Sequence, residues 1–221
     1  YGIAREFAAV FGSKLEVPYD EKWAETYRKK CSTGNSPMGV EVIGENACLG
    51  YYGLSVDGIE VKESPDWMKK RLVSVGLRPI NNIVDISNYV MLELGHPLHI
   101  FDREKIRGNK VKITSLEKEE NFLTLDEIER KLVPGDTVIS DENGPLVIAG
   151  IMGGLSSGVE DNTKNIFIEV ANWKPAKVRR TSTRLGLRTE SSQRYEKSLD
   201  SFLMERTLFR TLELVLELCP N

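Results

Sequence analysis

Cysteine and histidine are scarce in this 221-residue chain, with three of the first and two of the second. Cys31, Cys48 and Cys219 are odd in number and widely spaced, and no C-x-x-C occurs, which argues against a disulfide framework and a zinc site. With only His96 and His99, there is no H-x-x-x-H metal pair. The phosphate loop G-x-x-x-x-G-K-[ST] is also absent. The glycine-rich run at 150–154 lacks the spacing and the lysine of a phosphate loop, so no nucleotide site is expected in this segment. No apolar run approaches the ~20 residues a transmembrane helix needs, and no secretory signal opens the chain. A reducing, cytoplasmic setting without membrane association is therefore expected. The net charge of −3 gives no global basic signal for nucleic acid. The chain starts at Tyr1 in place of Met and stops just after a strong helical pattern, which reads as a segment of a longer protein.

What is present is ordinary for a folded domain: 40% hydrophobic and 29% charged residues, spread along the whole length. Ile3, Phe7, Val10 and Phe11 recur at helical spacing, with Gly12 as a stop. Residues 13–37 carry few periodic apolar positions and read as a linker, so 1–37 is taken as a preceding helix plus linker and 38–221 as the main domain. Glycine-punctuated apolar runs over 38–62 predict strands. Ser64 is expected as an N-cap, with Pro65 at the first helical position and Trp67, Leu72 and Val75 as the apolar face. A second helix is expected over 80–92. Short strands follow over 111–115, 122–125, 137–140, 146–150 and 166–170, then a helix over 175–185. The last helix, over 200–218, has Phe202, Leu208, Leu212, Val215 and Leu216 as its expected buried stripe. Strands mostly without intervening helices indicate an α+β fold: layered mixed or antiparallel sheets flanked by helices.

Four features bear chemistry. His99 lies in H-P-L-H-I-F-D, where an imidazole can hold a water or sit satisfied in a core. Asn88, eleven residues earlier, has an amide that can orient a ligand or cap a helix. Glu169 sits in I-F-I-E-V-A; it is either buried at a cost or turned to solvent on an alternate strand face. Residues 174–197 hold eight Lys or Arg against two Glu, a local +6 that suits an RNA backbone or a solvated helix face equally.

The runs N-Y-V-M-L-E-L-G-H-P-L-H-I-F-D (88–102), L-V-I-A-G-I-M-G-G (146–154), E-D-N-T-K-N-I-F-I-E-V-A (160–171) and R-L-G-L-R-T-E-S-S-Q-R-Y-E (184–196) resemble bacterial-type phenylalanyl-tRNA synthetase beta subunits. The match begins near Ala47 and covers about three quarters of the chain in the family's order. It implies a tRNA-editing domain that hydrolyses mischarged Tyr-tRNA(Phe) with a positioned water. The implied catalytic residues are His99 and Asn88. The implied tyrosine pocket comprises Glu169, Gly153, Thr189, Ser191 and Arg78, with Glu169 meeting the phenol. Arg180, Arg184 and Arg188 are the expected tRNA contacts. No metal or cofactor is implied for this segment; ATP and magnesium belong to the parent synthetase, which ligates phenylalanine to tRNA(Phe). The implied partners are tRNA(Phe) and an alpha subunit, in a complex of two alpha and two beta chains. Ser191 stands where the family commonly has Ala, and His96 where Gln is common. The alternatives are a non-catalytic module that binds tRNA or a subunit, and a free-standing trans-editing deacylase.

Overall fold

A computed structural model describes residues 2–31, 36–44 and 48–220. Its centre is the strand β10 (Ile166–Trp173), all eight residues of which are buried. A continuous apolar run of this kind suits a strand covered on both sides. β10 is the middle of a three-stranded antiparallel sheet, between β2 (Cys48–Val56) and β3 (His99–Asp102).

Side chains alternate across that sheet. Ile166, Ile168 and Val170 face a helical layer that contains Met68 and Leu72 of α3 (Asp66–Ser74), Ile83 and Ile86 of α4 (Asn82–Leu94), and Leu208 and Leu212 of α7 (Leu203–Leu218). Phe167, Ala171 and Trp173 face a second core shared with a five-stranded mixed sheet. That sheet runs β1 (Gly39–Val42), β4 (Lys110–Ser115), β7 (Thr137–Ser140), β8 (Pro145–Ile148) and β9 (Met152–Gly153). Only the β1–β4 pair is parallel. A hairpin of β5 (Glu120–Leu123) and β6 (Glu129–Leu132), with α5 (Pro175–Leu185) and α6 (Glu190–Tyr195), closes this side. The fold is α+β, with mixed and antiparallel sheets flanked by helices.

Several local expectations change. α1 (Gly2–Phe11) forms where its spacing indicates. The stretch read as linker contains a second helix, α2 (Glu21–Lys30), capped by Asp20. α2 docks on α7: Tyr27 Oη and Trp23 Nε1 donate to Glu213 Oε1 at 2.7 and 3.1 Å. Part of that stretch, 32–35, lies outside the described residues, as does Ala47. Ser64 is not the cap of α3; Pro65 holds that position, and the buried Ser64 hydroxyl instead donates to Asp85 Oδ2 at 2.5 Å. Trp67 and Val75 are exposed, and Met68 joins Leu72 on the buried face of α3. On α7, Phe202 is 87% exposed and Leu216 is also exposed, while Met204, Phe209 and Leu214 take their place in the core. Phe202 stands before the first turn of α7, so helical periodicity does not govern its direction.

Candidate active site

β10 places Glu169 on the face shared with the five-stranded sheet, with Gly53 of β2 directly opposite on one side and His99 of β3 on the other. Because both faces of the sheet are covered, the solvent-facing option for Glu169 is closed: the residue is 5% exposed, and its Oε2 has no hydrogen-bond partner among the described residues. Burial pushes its carboxyl up to about 8, from an ordinary 4.5. A carboxyl without a partner is costly as an anion, so the group holds its proton at neutral pH.

His99 packs edge-on against Phe101, with ring centroids 4.4 Å apart. Its Nε2 is buried and unpartnered, and burial brings the ring down to about 4 from 6.5, so the imidazole is neutral. Gly153 makes room for that ring. A Cβ at position 153 would lie 2.7 Å from His99 Cε1, closer than real Cβ contacts come. Close approach, and not an unusual dihedral, is what requires glycine there. The neighbouring Gly154 N–H already donates to Leu146 O at 2.7 Å, so it is not free for an oxyanion.

Two further orphaned atoms lie in this layer. Tyr51 Oη of β2 is buried without a partner. The fully buried His96 places Nδ1 2.9 Å from Pro97 O; a carbonyl only accepts, so Nδ1 carries the proton and the lone pair of Nε2 is left unpaired. Buried polar groups in folded proteins are nearly always hydrogen-bonded. Four of the six orphaned side-chain atoms among the described residues belong to this one layer, which marks it as a place where a polar ligand or water completes the bonding.

The remaining expected site residues divide into two groups. Thr189 and Ser191 join the site through the glycine loop. Thr189 Oγ1 caps α6 and donates to Ile151 O at 2.8 Å, and Ser191 Oγ donates to Gly150 O at 3.0 Å. They thereby brace the 150–154 segment that carries Gly153 to His99. Asn88 is half-buried on α4, whose C-terminus leads through His96 and Pro97 into β3. Arg78 is exposed in the connection between α3 and α4. The basic segment is likewise divided. Arg184 pairs with the buried Asp136, Arg188 with Glu196 at 3.2 Å and Arg194 with Glu190 at 2.6 Å. Arg180 is exposed beside Arg179 and Arg184 in a cleft of about 620 Å³ next to α5. Tyr51 and His96 escaped sequence reasoning as site residues. The available signal was the alternation in C-L-G-Y-Y-G-L, which sets Tyr51 and Gly53 on one face.

Residues 47–220 match the family model described as the B3/4 domain. The chain belongs to the B3/4 domain family. It is 45% identical over 219 residues to the phenylalanine–tRNA ligase beta subunit of Porphyromonas gingivalis, an alignment covering 99% of this chain and 26% of that protein. The beta subunit of Clostridium tetani is 44% identical, over 98% of this chain and 27% of that protein. The B3/4 chain thus spans about a quarter of the length of these relatives. Among solved structures, an N-terminal fragment of the phenylalanyl-tRNA synthetase beta subunit from Pyrococcus horikoshii aligns over 71% of this chain, at 18% identity and a TM-score of 0.46.

Proposed function

We propose that this chain is the editing domain of a phenylalanyl-tRNA synthetase beta subunit and that the Glu169–His99 layer hydrolyses tyrosine mischarged onto tRNA(Phe). The observation that carries the reading is Glu169, a buried carboxyl with an unpartnered oxygen directly across the sheet from an unpartnered histidine nitrogen. A tyrosine phenol donates to that carboxyl. Phenylalanine leaves it unpaired, at a cost of roughly 1–3 kcal/mol or more. An apolar synthetic pocket excludes one added hydroxyl by only about 10²-fold, whereas a site built to bind the hydroxyl rejects a ligand lacking it by about 10⁴–10⁵. A second, hydroxyl-seeking site therefore supplies the discrimination that the first lacks.

His99 is neutral and a weak base, so its role is to position a water at the ester carbonyl, with Asn88 as the second orienting group. Water attacks the carbonyl carbon, the ester C–O bond breaks, and the proton released passes to the departing ribose oxygen. Gly153 seats His99, and Thr189 and Ser191 hold the loop that carries it. Arg180, Arg184 and Arg188 lie along the basic face offered to tRNA, with Arg180 free of ion pairs among the described residues. Residues 38–221 form the editing unit, and 1–37 lead into it.

Among the described residues, no group of three or more His, Cys, Asp or Glu could hold a metal ion, and no helix is long and apolar enough to cross a membrane. The reading gives ATP and magnesium no place at this site. In this reading they serve ligation elsewhere in a cytoplasmic complex with an alpha subunit. The test is deacylation of Tyr-tRNA(Phe) and Phe-tRNA(Phe) by Glu169→Ala. Loss of preference for the tyrosyl ester is expected. Unchanged rates on both esters would remove Glu169 from recognition, and a wild-type protein that binds tRNA without cleaving either ester would leave only a binding module.

A further inference from the structure

Two buried phenols feel the Glu169 carboxyl, and only one of them has partners. Tyr195 Oη lies 2.8 Å from Ala171 O and 3.0 Å from Pro97 O, so its proton is used. Tyr51 Oη is equally removed from water and has none. Burial, with the Glu169 charge adding to it, holds the Tyr51 phenol well above its ordinary value, so it remains a hydrogen-bond donor at any working pH. The backbone explains how Tyr51 comes to face Glu169. Gly53 is the cross-strand partner of Glu169, and a Cβ there would lie 3.5 Å from Tyr51 Cε1 and 2.5 Å from Phe167 Cζ. The missing side chain makes room for both rings on the face that carries the carboxyl. One face of β2 and β10 thus carries two aromatic rings, an unpaired donor and an unpaired carboxyl together.

A phenol presents one O–H to give and oxygen lone pairs to receive with. Resting on the editing reading above, we infer that Tyr51 is a second specificity-determining residue: its O–H donates to the oxygen of the ligand's phenol while Glu169 accepts the ligand's proton. One bound para-hydroxyl then satisfies both orphans. A group that only donates satisfies one, and a bare ring satisfies neither.

Tyr51→Phe removes the donor and keeps the ring. It is tested with tRNA(Phe) charged with tyrosine, with phenylalanine, and with 4-aminophenylalanine, whose ring amine donates well and accepts poorly. For the tyrosyl ester KM rises about tenfold, the loss of one hydrogen bond beside an ionisable group, with kcat within about twofold. The other two esters keep their KM. Thermal stability holds or rises, because an unpaired buried hydroxyl has been deleted, whereas Tyr195→Phe lowers it. If wild type cleaves the tyrosyl ester, Glu169→Ala abolishes the preference and Tyr51→Phe changes nothing, this inference fails and the editing reading stands. If Tyr51→Phe weakens all three esters alike, Tyr51 is scaffold and the inference fails. If wild type cleaves no tyrosyl ester, the editing reading fails and this inference with it.

Discussion

On one side of β10, Ile166, Ile168 and Val170 enter a helical core of apolar side chains. On the other, Phe167 and Ala171 flank a carboxyl that shares its layer with an unpaired histidine and an unpaired phenol. Both sides are equally dry, so burial alone does not separate them. What separates them is whether the polar atoms have been answered. The helix side leaves a single unpartnered hydroxyl, Thr207 of α7, and otherwise contributes stability. The sheet side gathers four of the six unpartnered atoms among the described residues around one carboxyl, which is what makes that place the candidate site.

That contrast can be broken in a graded way. Ile168→Ala, on the helix side, is expected to cost about 2–5 kcal/mol in urea unfolding, with the ratio of tyrosyl to phenylalanyl ester hydrolysis unchanged. A shifted ratio would mean that the two sides are not separable. Gly153→Ala acts on the sheet side. Its new Cβ meets the His99 ring, so about 1–3 kcal/mol of overpacking strain should accompany a loss of deacylation of at least tenfold, a size typical of misplaced reacting groups. Full activity in a stable Gly153→Ala protein would free His99 from its assigned place.

The pH dependence sharpens the contrast further. Glu169 is held at about 8 against 4.5, so between those values the folded chain keeps a proton that the unfolded chain has lost, and stability falls as pH rises through 8. His99 is held at about 4 against 6.5, so its contribution runs the other way, with stability falling as pH drops below 6.5. Of these two groups, only Glu169 titrates between 6.5 and 8. Glu169→Gln should flatten the stability profile in that window, and equal slopes in variant and wild type would contradict a buried protonated carboxyl. Smaller effects come from the periphery. Ser191→Ala deletes the bond to Gly150 O and should cost about 1 kcal/mol. Phe202→Ala, at a side chain 87% exposed, should change unfolding by less than about 0.5 kcal/mol.

How much was legible in the sequence differs between the same two sides. Glu169 stood out because a carboxylate in I-F-I-E-V-A contradicts its surroundings, yet period-two alternation says only that neighbours face opposite ways. Whether both ways lead to a core is decided by helices and strands distant in sequence. His99 stood out as one of only two histidines, and Gly153 was named through resemblance. Their contact depends on β9 meeting β3 across the layer, which no local pattern encodes. Thr189 and Ser191 read as ligand hydroxyls, while their partners at Ile151 and Gly150 lie about forty residues away. α2 escaped for a different reason: its charged residues masked a signal that was present, Asp20 as cap with Trp23, Ala24 and Tyr27 at helical spacing.

The middle position of β10 also sets an order of assembly. β2 and β3 are made first, and each keeps an open edge until residues 166–173 arrive to pair with both. A chain leaving the ribosome carries β2, nine residues long, unmatched for more than a hundred residues of synthesis, and β3 for more than sixty. Such edges are templates for pairing with the wrong neighbour. The strand that brings the unpaired carboxyl is therefore also the strand that covers the inner edges of both, so a nascent chain acquires its candidate site and that protection against mispairing in the same step.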